Sequence, residues 1–210
     1  MQPRSPKFDL YLVTDRGETR SRDLLWILEQ ALDGGVKGIQ LREKDLSGRE
    51  LFVLAEKVKG ICVDHHASLL INDRIDVALA VDADGVHLGA ASVPVEAARA
   101  LVGTEKLIGV STHSAREAEE AEQAGADFIL FGPVYFTPSK AVYGKPQGLA
   151  CLREVVERIS LPVYAIGGIK LENIGEAKKT GIKGVALISA VLSSANPRVA
   201  TQEILRVLHG

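Results

Sequence analysis

Cysteine is scarce. Cys62 and Cys151 are the only two in 210 residues, and their separation matches no zinc-site spacing. That argues against a disulfide-stapled scaffold and a thiolate metal centre, and leaves two buried free thiols as the expectation. No apolar run approaches the roughly 18 residues that a membrane span needs. The first residues, Met1 to Lys7, lack the apolar stretch of a secretory signal. A cytoplasmic protein with no membrane partner is expected. Neither sign of charge dominates: 25 Lys and Arg against 27 Asp and Glu leave a net charge of -2, too balanced for a nucleic-acid footprint. No linker or low-complexity stretch breaks the chain. Its length suits one sizeable core and falls short of two domains, so residues 1–210 are expected to form a single domain.

What is present is a repeated unit. A short β-branched run is followed by a loop, a longer amphipathic stretch, a glycine and another short run. The strand-like runs are Leu10 to Thr14, Gly38 to Arg42, Ser68 to Asn72, Gly85 to Leu88, Leu107 to Ser111, Phe128 to Val134, Val163 to Ile166 and Val185 to Ser189. They are apolar rather than strictly alternating, as parallel strands covered on both faces should be. Helical spacing shows over Arg22 to Leu32, Leu51 to Cys62, Ala115 to Ala124 and Leu149 to Ile159. Gly34-Gly35, Gly125 and Gly181 follow such stretches, where a helix C-cap favours glycine. Eight units predict an α/β fold closed as a (β/α)8 TIM barrel, because closure removes the sheet edges. An open doubly wound sheet is the structural alternative.

Polar residues gather at the C-terminal ends of these runs, where barrels of this kind carry their chemistry. They are Thr14-Asp15-Arg16, Gln40 to Lys44, Asn72-Asp73, His87, Ser111-Thr112-His113, Thr137-Pro138-Ser139-Lys140, Gly167-Gly168 and Ser189. Period two turns Gln40 and Arg42 into the barrel with Lys44 above them. Two cations in a barrel mouth are costly without a compensating anion. Either a bound anion or an ion pair with Glu43 or Asp73 would supply it. Gly167-Gly168 and Ile188-Ser189 end the last two runs, a place where backbone N–H groups often hold a phosphate. Asp73 could hold Mg2+ or pair with Arg42. His87 and His113 could move protons or serve as hydrogen-bonding core groups. The loop Phe136 to Gly148 carries Lys140 and is expected to close over the mouth as lids do. His65, His66 and His209 receive no role.

In order, Tyr11-Leu12-Val13-Thr14-Asp15, Gln40-Leu41-Arg42-Glu43-Lys44, Ile71-Asn72-Asp73, Gly85-Val86-His87-Leu88-Gly89 and Gly109-Val110-Ser111-Thr112-His113 resemble the thiamine phosphate synthase and TenI family. Gly132-Pro133-Val134-Tyr135, Thr137 to Lys140, Ile166-Gly167-Gly168-Ile169 and Ile188-Ser189-Ala190 extend the resemblance along essentially the whole chain. In the synthases it implies, a pyrimidine diphosphate loses pyrophosphate and a thiazole phosphate nitrogen attacks the resulting carbocation. By match, Gln40 and Asn72 bind the pyrimidine, with His87 on the substrate side. Arg42, Lys44, Ser111 and Lys140 hold the pyrophosphate, and Asp73 ligates Mg2+. Thr137 and Ser139 line the thiazole, and Gly168, Ile188 and Ser189 cradle its phosphate. One motif departs. Where synthases carry Gln-x-Asp after His-x-Gly, this chain has Ala90-Ala91-Ser92, so the second Mg2+ carboxylate is missing. The family's other branch is a metal-free thiazole tautomerase that uses a histidine matching His113. That activity, and a non-catalytic thiazole phosphate binder, are the alternatives. The implied partners are small molecules, and a homo-oligomer stays open.

Overall fold

The computed structural model describes residues 5–137 and 145–210. Ser139 and Lys140, with the middle of the expected lid loop, lie outside the described residues. Eight parallel strands pair in chain order, the eighth closing on the first. They are β1 Leu10–Val13, β2 Gly38–Leu41, β3 Ser68–Asn72, β4 Gly85–Leu88, β5 Leu107–Thr112, β6 Phe128–Phe131, β7 Val163–Ile166 and β8 Gly184–Leu187. Around them run α1 Leu24–Asp33, α2 Gly48–Asp64, α3 Ile75–Ala80, α4 Val95–Val102, α5 Ala115–Gln123, α6 Gly148–Arg158, α7 Ile174–Lys178, α8 Ser189–Leu192 and α9 Pro197–His209. The closed ring replaces the open-sheet alternative.

Local chemistry explains the elements. Leu24, Ile27, Leu28, Ala31 and Leu32 form the buried stripe of α1, and Asp23 caps it by accepting from Trp26 N at 2.9 Å. Ser47 and Glu50 form a reciprocal capping box at the start of α2. Gly35, Gly125 and Gly181 follow α1, α5 and α7 at positive φ, as their positions predict. Most boundaries fall within a few residues of the sequence expectation, and two strands differ for a visible reason. β6 stops at Phe131, since Pro133 offers no N–H to the ladder. β8 is shifted back to Gly184–Leu187, and Ser189 instead begins the one-turn α8. Cys62 is buried as expected, but Cys151 is only half-buried.

The barrel interior is a second apolar cluster, separate from the strand–helix core. Phe8, Tyr11, Val13, Leu70, Phe128, Leu130, Tyr164 and Ala186 fill it. Phe8 stacks on Tyr11 with centroids 4.9 Å apart, and Phe128 meets Tyr164 edge-on at 5.5 Å. Glycines on the same inward face make the room. A Cβ at Gly38 would lie 2.5 Å from the Phe8 ring, and one at Gly109 would lie 2.4 Å from Phe128. The result is an aromatic floor under the mouth.

Candidate active site

The strand ends bring together most of the residues singled out above. On β1 and β2, Thr14 N donates to Gln40 O (2.9 Å) and Arg42 N donates to Thr14 Oγ1 (2.9 Å), so a buried threonine sets the exit of β2. Gln40 is buried, and its Nε2 donates to the Tyr11 hydroxyl at 3.4 Å. Burial holds that phenol well above its ordinary pKa, so it stays protonated. Tyr11 is a neighbour of the site that its place inside a strand motif did not single out.

The charges at the mouth are not paired as an ion-pair reading requires. Glu43 lies between Arg42 and Lys44 in sequence and so turns away from both. Its Oε2 accepts from Arg16 N (3.1 Å) and Arg16 Nε (3.3 Å), while Arg16 also reaches Asp45 at 2.6 Å. Asp73 accepts from Asn72 Nδ2 at 2.8 Å and from the Ser92 hydroxyl. Among the described residues, the Arg42 guanidinium and the Lys44 ammonium have no carboxylate partner. With Asp15, Arg16, Gly17, Glu43 and Asp45 they line a cavity of about 400 Å³. Sequence reasoning gave Arg16 no role and offered Glu43 only as a partner for the mouth cations, whereas the two pair with each other. The alternation of side-chain directions along β2 was the available signal.

Asp73 sits at positive φ just after β3. Ser92, read from sequence only as a missing carboxylate, accepts from Gly89 N at 2.6 Å and donates to Asp73 Oδ1. It therefore positions the carboxylate it faces. Among the described residues, no group of three or more His, Cys, Asp or Glu could enclose a metal ion. An exposed carboxylate with a hydroxyl beside it does suit a hard cation that keeps waters and substrate oxygens in its shell.

At β7 the strand end lies close against the chain itself. Gly167 and Gly168 take φ of 91° and 66°. Cβ atoms there would lie 2.6 Å from Pro133 Cα and from Phe136 O, respectively. The open side of both glycines is thus filled by the connection leaving β6, so the close approach they allow includes the chain's own. Ile188 is half-buried and Ser189 exposed at the start of α8. Arg22 holds the far end of that turn by donating to Leu192 O and Ser194 O, each at 2.6 Å. Thr137 is half-buried at the end of the described segment.

The two histidines differ. His87 is buried on β4, with Nε2 2.9 Å from Ser111 Oγ on β5, and among the described residues Nδ1 has no hydrogen-bond partner. Burial first, and the charge of Arg42 second, push its pKa down to about 3, so it is neutral. His113 is exposed after β5, and its Nδ1 bonds to the Gly132 carbonyl. A carbonyl only accepts, so Nδ1 carries a proton in this contact.

The sequence model of thiamine monophosphate synthase matches residues 10–191. A thiamine-phosphate synthase of Chlorobium phaeobacteroides is 45% identical, covering 96% of this chain and 96% of its own. One of Clostridium novyi is 42% identical, over 95% of this chain and 98% of its own. The solved thiamine phosphate pyrophosphorylase of Pyrococcus furiosus superposes with a TM-score of 0.88 at 39% identity, covering 97% of this chain and 96% of that one.

Proposed function

Because the chain belongs to the thiamine monophosphate synthase family, we propose that it joins a hydroxymethylpyrimidine diphosphate to a thiazole phosphate and releases pyrophosphate. The observation that carries this reading is the pair of cations, Arg42 and Lys44, which among the described residues have no carboxylate partner at the mouth. A departing pyrophosphate gains negative charge, and fixed cations stabilise that charge as it develops. The pyrimidine's amino group delocalises the resulting cation, so the protein needs no nucleophile. It needs positioning and exclusion of water. In this assignment Gln40 and Asn72 orient the pyrimidine. Arg42, Lys44, Ser111 and Lys140 hold the pyrophosphate. Thr137 and Ser139 are assigned to the thiazole, and Gly168, Ile188 and Ser189 to its phosphate. Bound Mg2+ would rest on Asp73, add further positive charge at the pyrophosphate, and keep part of its shell as water. The substrates are small molecules and the compartment is the cytoplasm. No helix among the described residues is long and apolar enough to cross a membrane. The direct test mixes the purified protein with both substrates and Mg2+. Pyrophosphate and the coupled product should appear in equal amounts, and neither should form when one substrate is left out.

Ser92 supplies the next expectation. A hydroxyl in place of a carboxylate leaves Asp73 as the sole anionic anchor, so half-maximal coupling should need more Mg2+ than a two-carboxylate site would. Ser92→Asp should lower that requirement and tighten Mg2+-dependent pyrophosphate binding measured calorimetrically. An unchanged requirement would show that the departure at this position is neutral.

The His113 ring, oriented by its Nδ1 contact with the Gly132 carbonyl, is the one observation that favours the tautomerase alternative, since a placed imidazole can move a proton. That reading leaves the unpaired cations without a task. His113→Asn keeps a donor for the Gly132 carbonyl, and it should lower coupling by less than about tenfold. Loss of a general acid–base typically costs on the order of 100- to 10,000-fold. Wild-type protein that isomerises the unaromatised thiazole carboxylate without coupling, and loses that isomerisation on His113→Asn, would put the tautomerase in its place.

A further inference from the structure

We propose that His87 is a positioning residue that carries its proton on Nε2 and so fixes the Ser111 hydroxyl as a hydrogen-bond donor into the barrel mouth. The assignment comes from the ring's surroundings. Nδ1 is buried without a partner among the described residues. It faces the inner surface of β5, where a Cβ at Gly109 would lie 2.6 Å from it, and the Phe128 ring centroid is 5.9 Å from that of His87. A buried N–H with no acceptor is rarer and costlier than an under-satisfied acceptor. Nδ1 therefore holds the lone pair. An imidazolium is excluded by the same orphan, because it would place an N–H there too.

The proton then lies on Nε2, and the 2.9 Å contact with Ser111 runs from the ring to the hydroxyl oxygen. Ser111 makes no other side-chain hydrogen bond among the described residues. Among the described residues its own proton has no taker, which leaves it for an oxygen of a bound anion. The opposite tautomer would engage the hydroxyl proton at His87 and turn bare lone pairs toward that anion. Arg42, Lys44 and Ser111 would then meet the anion with mixed polarity instead of a uniform set of donors. This inference rests on the reading of Ser111 as a pyrophosphate contact.

The test has two arms on the full-length protein. In the first, the protein labelled with 15N-histidine is examined by NMR, with the His87 signals assigned by their loss in His87→Gln. The expected pattern is a pyrrole-type Nε2 and a pyridine-type Nδ1. In the second, Mg2+ and inorganic pyrophosphate are titrated calorimetrically. Ser111→Ala and His87→Leu should each weaken binding on the order of 10- to 100-fold, the effect of losing a hydrogen bond to a charged group. The double variant should be no weaker than the worse single one. His87→Gln, whose amide can donate from nearly the same place, should retain most of the affinity. A merely structural histidine would lower the melting temperature in His87→Leu without this loss of affinity or its rescue. A pyridine-type Nε2, or additive losses in the double variant, overturns the proposal. Wild-type protein that binds no pyrophosphate with Mg2+ would instead overturn the synthase reading, and the nitrogen shifts would still decide the tautomer.

Discussion

Arg42→Ala should slow coupling by about 100- to 1000-fold while leaving the fold at least as stable as before. The rate loss corresponds to about 2.7 to 4 kcal/mol, the typical cost of removing one preorganised electrostatic partner from a developing charge. The stability expectation comes from the same geometry. A half-buried guanidinium gains no ion pair from Glu43, which is held by Arg16, or from Asp73, which is held by Asn72 and Ser92. Its desolvation is uncompensated until an anion arrives, so its removal should leave the melting temperature unchanged or raise it. Lys44 is exposed, and water screens its charge more, so Lys44→Ala should follow in the same direction with a smaller loss. Single-turnover coupling, calorimetric titration of thiazole phosphate and a thermal melt separate the contributions. Binding of thiazole phosphate should survive Arg42→Ala, because its phosphate is assigned to Gly168, Ile188 and Ser189. A melting temperature that falls by several degrees, with coupling reduced only in proportion, would make Arg42 a structural residue.

Much of this site was legible because parallel strands are short, buried and end in one ring. Once eight runs are recognised, their C-terminal residues must converge, whatever the exact boundaries. Periodicity failed where elements are too short to express it. α3, α7 and α8 span six, five and four residues, little more than a turn each. Side-chain direction was legible but easily passed over. Glu43 between the two cations must point the other way, which removes one of the two carboxylates the ion-pair reading offered, while Asp73 is removed only by its contacts with Asn72 and Ser92. Phe8 was not legible, because it precedes β1 and belongs to no alternating pattern. Only the folded chain brings it under Tyr11. Ser92 shows the limit of reading a motif by what it lacks. The missing carboxylate was visible in sequence, whereas the hydroxyl's contact with Asp73 depends on how the connection after β4 folds back.

Phe128→Ala should cause the largest loss of stability, about 3 to 5 kcal/mol, the usual range for deleting a buried aromatic ring. Phe128 is fully buried, and its centroid lies 5.5 Å from Tyr164, 5.6 Å from Tyr11, and 5.9 Å from both Phe8 and His87. These rings press on glycines or on one another, and the strands behind them belong to a closed ring, so the hole cannot collapse easily. At roughly 2 to 4 °C per kcal/mol for a chain of this size, the melting temperature should drop by about 6 to 20 °C. Catalysis should suffer beyond the unfolded fraction. The new space is lined mostly by rings but adjoins His87 Nδ1, a buried acceptor that a water entering there would bond. A water there gives Nδ1 the partner it lacks, and the constraint that keeps the proton on Nε2 disappears. Coupling measured at a temperature where the variant is fully folded should therefore fall, and pyrophosphate affinity should fall with it. Phe128→Leu, which refills most of the volume with apolar atoms, should recover more of the affinity than of the stability. A variant that melts within about 2 °C of the wild type, against the 2 to 4 °C per kcal/mol expected, would mean that Phe128 does not support the floor of the mouth.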